Sequence, residues 1–449
     1  MVGLPLLASS IVVARYRASW YFYDELGLIG RVVEPHPLSA AYAPLNGHLW
    51  LFGFAVYFAQ VHLLGVASRR LVYVVFWLSL VALATGIGVL LRELEVPTLP
   101  AAVAGVVVTF FGAAATTMVW EFELGTNLAA AFSIAAAIVV LRAPPRVRAE
   151  LAVAGLLLAA TAGDSGLALC GIVLVGCLLV RRWPWRTAVA VLAPAVVANV
   201  AYVLYAGSNT LGSASILSQL KLAGHLILRG AGGLVAGNGV VGGDETAGIV
   251  LLAVAAVLVI PALLQGRLRG LPRLGLAAGG AASVVTALLI AHTRAGLIRG
   301  PLTLDVFFYV NNRYSQEVAM FLLLGLVPAV WASVATLLPR ARRALTVALA
   351  GGLAVVFVLN LSPGNDYWQY FRDFSSRTRQ LVAETLLVIQ RGCPDGLPPP
   401  DSAQPLGSLA PQLTVGFVRN LERRGELGIQ PPGQAEPALI AAACPRRGA

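Results

Sequence analysis

A succession of apolar runs, most of them close to bilayer-spanning length, constrains this chain more than any other feature. The runs lie at about 2–14, 49–67, 71–91, 99–118, 128–141, 151–162, 164–180, 187–206, 247–265, 274–293, 317–338 and 344–361. A hydrocarbon core about 30 Å thick takes about 20 apolar helical residues to cross. Within it every backbone polar group must be paired inside the protein, so only helices and closed barrels span. Barrel strands alternate polar and apolar residues, and these runs do not. Polar flanks, tilt and local thinning let the shorter runs reach across. Only 12% of the 449 residues are charged, about half the usual share of a soluble domain. That excludes a cytosolic enzyme, a disordered chain and a disulfide-framework toxin. The fold class expected is an all-α integral membrane protein.

The net charge is +11, carried by 32 basic residues of which only Lys221 is a lysine. The arginines sit in short runs between apolar segments. This is the pattern that orients a membrane protein rather than one that binds nucleic acid. Abundant Ala, Gly and Val with Arg in place of Lys suggests a high-GC bacterial genome. Four compact basic linkers, Arg142/Arg146/Arg148, Arg181/Arg182/Arg186, Arg267/Arg269/Arg273 and Arg340/Arg342/Arg343, are expected on the cytoplasmic side.

That placement fixes the remaining topology. If 49–67 spanned and the N-terminus lay inside, all four linkers would fall outside. The run carries Trp50, Tyr57, Gln60 and His62, an aromatic and polar mixture suited to the headgroup zone, and is read as an interfacial helix. Arg69 and Arg70 then start a span on the outer side, a local exception to the arginine rule. Run 2–14 resembles a signal segment in length, lacks a clear cleavage site and is read as a short first span. The expectation is eleven spans in a bacterial inner membrane, with the N-terminus cytoplasmic and the C-terminus outside. Segments 1–361 form the membrane domain and 362–449 an extracytoplasmic tail. The other outward loops are 15–70, 119–127, 163–165, 207–246 and 294–316, so chemistry belongs on that face. The tail has helical stretches near 373–390 and 413–427, and if it is exported Cys393 and Cys444 can pair. Cys170 and Cys177 read as small buried hydrophobes.

Four polar groups could carry chemistry. Asp24 and Glu25 sit together where the first span leaves the membrane; beside apolar walls one could take a proton from a hydroxyl. Glu121 and Glu123, followed by Asn127, occupy the turn between spans three and four. His48, in Asn46-Gly47-His48, could bind a phosphate or hydroxyl. Loop 294–316 holds Arg294, Arg299, Asp305, Arg313 and Tyr314, and arginine suits bidentate phosphate recognition. Lys221, His225 and Arg229 recur at i, i+4 and i+8 and make a basic stripe on one helix face, a second phosphate candidate. Each has a plainer reading as a solvated charge or an anchor on anionic lipid. Two matches are rejected. Residues 237–242 fit GxGxxG without a βαβ unit, and Gly163-Asp164-Ser165-Gly166 has no histidine partner nearby.

The layout of these residues resembles the GT-C superfamily of polyprenyl-phosphate-sugar-dependent glycosyltransferases, which includes protein O-mannosyltransferases and aminoarabinose transferases. Asp24-Glu25 match the acidic pair that opens the long first outer loop of that family. Run 49–67 matches its interfacial helix, and Glu121-Phe122-Glu123 its second outer turn. Residues 162–167 resemble its polar break after the fifth span. The likeness covers about 1–185 in order and spacing and is mainly topological beyond. The first span is shorter than in relatives, and the second turn lacks the arginine many of them carry.

The resemblance implies a GT-C-like bundle acting on a polyprenyl-phosphate-linked sugar, mannose or arabinofuranose, and a cell-envelope glycan, lipid or protein acceptor. Asp24 would serve as general base in an inverting displacement. Arg313 with Tyr314, and Arg229 or Lys221, would hold the donor phosphate. Glu25, Glu121, Glu123 and His48 would orient the acceptor or hold a divalent cation, Mg or Mn. A transporter or flippase of lipid-linked glycans and a non-catalytic envelope scaffold are the alternatives; a transporter expects ionisable groups deep within its spans.

Overall fold

The computed structural model describes residues 2–15, 21, 24–33, 37–43, 49–110, 123–206, 214–235, 243–298, 303–337, 340, 342–405 and 413–445. Tyr23, His48, Glu121, Arg299 and the 237–242 glycine segment lie outside them, and of Asp24 only the backbone is described. Every regular element among the described residues is helical.

Seven helices are long and apolar enough to cross a membrane: α5 (Arg70–Glu93), α7 (Leu124–Arg142), α9 (Ser165–Arg182), α10 (Trp185–Ala206), α12 (Glu245–Leu264), α13 (Gly270–Arg294) and α15 (Arg313–Leu337). Shorter helices accompany them: α1 (Gly3–Arg15), α2 (Asp24–Val32), α3 (Pro37–Tyr42), α4 (Leu51–Leu64), α6 (Thr98–Thr109), α8 (Val147–Gly163), α11 (Ile216–Gly233) and α14 (Leu304–Val310). The 50-residue α16 (Arg342–Arg391) precedes α17 (Val415–Arg423) and α18 (Pro437–Ala443). Side chains end several links locally: Asp164, Ser215, Asp244 and Thr414 each accept from backbone N–H groups in the first turn of the helix that follows.

Between apolar helices in lipid, close packing rather than water exclusion holds the bundle together, and small residues permit it. At the α13–α15 crossing a Cβ on Gly279 would stand 2.5 Å from the backbone nitrogen of Gly325. At the α7–α8 crossing a Cβ on Gly125 would meet both the Gly163 carbonyl and the Trp50 indole at 2.6 Å. The peripheral helices are the least covered: α10 turns Val197, Val200, Val203 and Leu204 outward, and α12 turns Val250, Val254, Val257 and Leu264 outward. Such faces suit acyl chains.

The bundle has two distinct ends. Arg142 bonds to Glu93 at 2.7 Å and Arg182 to the Leu141 carbonyl at 3.0 Å. A Cβ on Gly275, near the start of α13, would touch Leu94. One cavity joins the end of α5 to Arg340 and Arg343. All four basic linkers therefore gather at one end. At the other, Glu123 meets Arg313 and Thr126 donates to Asp164 at 3.2 Å.

The tail and the first loop share a core. Leu26, Ile29, Val32, Tyr57 and Val61 cluster with Phe371, Leu386, Val418, Leu421 and Leu439. The Val66 amide donates to the Glu426 carbonyl at 2.6 Å, and His62 lies 2.9 Å from the Glu426 carboxylate. The sulfurs of Cys393 and Cys444 are bonded, closing a separation of 51 residues. α16 runs unbroken through 361/362, so the boundary expected between membrane domain and tail falls within one helix.

Candidate functional site

Among the described residues, those singled out from sequence fall in three places. The first is the end of the bundle where α7, α9 and α15 all begin. Glu123 immediately precedes α7, and Arg313 opens α15. Although 190 residues apart, they form an ion pair at 2.7 Å, with the Glu123 side chain 2% exposed and that of Arg313 16%. The Tyr314 hydroxyl accepts from Arg294 Nε at 2.9 Å and from Arg313 Nη2 at 3.4 Å. Arg294 closes α13, so three helices contribute to one polar group. The turn 119–127 has no arginine of its own, yet α15 supplies one to it.

Two donors in this region are buried without a hydrogen-bond partner among the described residues, Asn127 Nδ2 and Arg294 Nη1. Asn127 follows Glu123 by four residues, one turn along α7 and on the same face. Glu317, four residues after Arg313, lies within electrostatic reach of Asp164, Arg313, Glu123 and Arg294. Sequence reasoning passed over Glu317 because it begins an apolar run; its i, i+4 spacing from Arg313 is the signal that puts both on one face. Asp164 caps α9 by accepting from Gly166 N at 2.8 Å and Leu167 N at 3.1 Å, a structural use of the rejected Gly-Asp-Ser-Gly match. Ser165 Oγ accepts from the Leu49 amide at 3.2 Å and so ties the start of α4 to this end. Helix N-termini carry partial positive charge. Here they stand with two arginines against three carboxylates.

The second place is the acidic pair. Glu25 is fully buried, accepts from the Tyr57 hydroxyl and pairs with Arg69 at 3.1 Å. The Arg69 guanidinium lies 4.7 Å from the centre of the Tyr21 ring, whose hydroxyl donates to the Ser68 carbonyl at 3.0 Å. Gln60 donates to the Ser68 carbonyl at 2.7 Å and accepts from the Leu71 amide at 2.9 Å. Tyr57 and Gln60, expected to face headgroups, are instead fully buried in this network. It also explains the exceptional Arg69: its charge is matched by Glu25, so it does not act as a free topological signal. Glu25 thus pins α2 to α4 and to the start of α5, and Asp24, its neighbour, opens α2.

The third place is the basic stripe on α11. Arg229 is claimed on every side: Nε donates to Glu245 at 2.8 Å, Nη2 to Asp305, and the guanidinium lies over Phe308. His225 lies 3.0 Å from Glu245, whereas Lys221 is exposed. The structure therefore separates the donor-phosphate candidates. Arg313 and Tyr314 join the first place, and Arg229 braces α11 against α12 and α14. Among the described residues no three His, Cys, Asp or Glu side chains are grouped to hold a metal ion. In comparisons with protein-family models, with curated proteins and with solved structures, nothing matches this chain.

Proposed function

We propose that the chain is a membrane glycosyltransferase that moves a sugar from a polyprenyl-phosphate donor to a cell-envelope acceptor outside a bacterial inner membrane. The observation that carries this reading is the Arg313–Glu123 pair with Tyr314, Arg294 and Asn127 around it. Arg313 and Glu123, named separately from sequence as candidates for phosphate recognition and acceptor orientation, meet at one end of an apolar bundle. In the seven long helices the acids, arginines and histidines lie near the ends, which favours a transferase over a transporter.

In this reading the bundle crosses eleven times. The seven long helices are joined by α1, α6, α8 and the first part of α16, while α4 lies in the outer interface. The four basic linkers face the cytoplasm, and the first loop and tail share the outer side. The donor enters laterally from the outer leaflet. The carboxylate of Asp24 takes the proton of the acceptor hydroxyl, whose oxygen bonds to the anomeric carbon as the bond from that carbon to the phosphate oxygen breaks. The electron pair leaves on polyprenyl phosphate, and Arg313 and Arg294 turn to it. The configuration at the anomeric carbon inverts. General-base assistance contributes about 10²–10⁴ in rate, and cationic stabilisation of the leaving phosphate adds to it.

The test uses purified full-length chain in lipid with a panel of polyprenyl-phosphate sugars and envelope acceptors, following release of free polyprenyl phosphate. Release by wild type, lost in Asp24→Asn and Arg313→Gln while donor binding persists in Asp24→Asn, is the expected result. Binding without release across the panel, with movement of the donor between leaflets, would replace this reading with a flippase.

A further inference from the structure

The opposite end of the bundle holds a pocket that the transfer reading does not use. Trp331 is eighteen residues beyond Arg313 on α15, about 27 Å along a helix axis. It lines a cavity of about 720 Å³ between the end of α5, the start of α6, the end of α15 and the start of α16. Arg92, Arg340 and Arg343 line it together with Thr98 and, among the described residues, a single carboxylate, Glu95. All three arginines are exposed and none has an ion-pair partner among the described residues, in contrast to Arg229 and Arg313. The lining therefore carries an uncompensated positive charge of about two. Two helix N-termini add to it: α6 begins at Thr98 with no side chain capping its first turn, and α16 begins beside Arg343. Trp331, 4% exposed, gives the pocket an apolar wall. From the pocket α16 continues with Val347, Val355 and Val358 exposed, a surface fit for acyl chains.

We propose that this pocket binds a phosphate ester, and that the ester is the headgroup of an anionic phospholipid in the arginine-facing leaflet. Guanidinium groups match phosphate oxygens bidentately. An indole at the headgroup level beside an apolar helix face fits a molecule that is charged at one end and oily at the other. The same phosphate chemistry is offered by a soluble phosphate ester, and the experiment separates the two sources. Neither depends on the transferase reading.

The full-length chain would be purified in detergent and titrated by native mass spectrometry with phosphatidylglycerol and with phosphatidylcholine. Glycerol 1-phosphate would be the soluble competitor. The variants are Arg340→Gln/Arg343→Gln and, from the other wall, Arg92→Gln. Arg146→Gln/Arg148→Gln removes equal charge from an exposed linker at the same end and serves as the control. Wild type and control should prefer phosphatidylglycerol by about tenfold, and the pocket variants should lose that preference. Displacement of the lipid by glycerol 1-phosphate, dependent on the same arginines, would overturn the lipid as occupant and leave a soluble phosphate ester. No preference in wild type, or equal loss in pocket variants and control, would overturn the pocket as a phosphate site.

Discussion

Glu25 and Glu123 are each matched to an arginine from a distant part of the chain. Glu25 has no exposure, and replacing it with Gln removes the carboxylate that faces Arg69. Removing one partner of a buried pair costs about 3–5 kcal/mol. Glu25→Gln should therefore lower the unfolding temperature measured in detergent, whereas the expected effect of Asp24→Asn is loss of the proposed transfer. An unaltered melting temperature for Glu25→Gln would contradict the structural role assigned to that carboxylate. A double-mutant cycle at Arg313 and Glu123 tests the other pair: either single neutralisation should destabilise by about 3 kcal/mol, and the double variant should recover more than half of it. Sequence displayed the acidic and basic candidates and their residue types. It could not display the pairing, because Arg69 with Glu25 and Arg313 with Glu123 are joined only by tertiary folding. Glu317 is the instructive exception, since a helical repeat from Arg313 already placed it on the same face.

Helices were easier to read than their limits. Apolar runs mark the spans because lipid demands them, and the arginine linkers fall between α7 and α8, α9 and α10, α12 and α13, and α15 and α16. The boundary expected at 361/362 falls inside α16, so the apolar run 344–361 and the first tail helix are one element. Buried Tyr57 and Gln60 were equally illegible, since an aromatic and polar mixture also describes an interfacial face. Packing between elements gives a sharp test at two adjacent glycines. A Cβ on Gly279 would collide with backbone of α15, while at Gly280 it would meet nothing within 4 Å. Gly279→Ala should destabilise by about 1–3 kcal/mol, because backbone must move to admit the methyl group. Gly280→Ala should be neutral or stabilise by up to about 1 kcal/mol through helix propensity. Equal melting temperatures for the two variants would refute the close α13–α15 crossing.

The tail and the first loop are halves of one core, so segments far apart in sequence close on each other. Leu413, Val418, Leu421 and Leu439 pack in the same cluster as Leu26, Ile29 and Val61. At the margin of this contact Arg377 donates to Glu436, and that bond holds the Glu436 carboxyl below its ordinary range. A lowered folded value means the contribution is present at neutral pH and fades as the pH falls through that value, below about 4.5. The pair is exposed, so its effect is small and salt-sensitive, and Glu436→Gln should remove it. The Cys393–Cys444 bond bears more weight. Closing a separation of 51 residues restricts the unfolded tail by about 4 kcal/mol in the chain-entropy account. Cys393→Ser/Cys444→Ser should therefore raise hydrogen exchange in α17 and α18. Because the core is shared, protection should also fall in α2 and α4, though not in α7, which belongs chiefly to a different cluster. Exchange that rises in the tail alone would mean that the tail rests on the first loop without supporting it. Exchange that rises in both would make the tail part of what positions Asp24, and transfer should then decline with the loss of protection in α2.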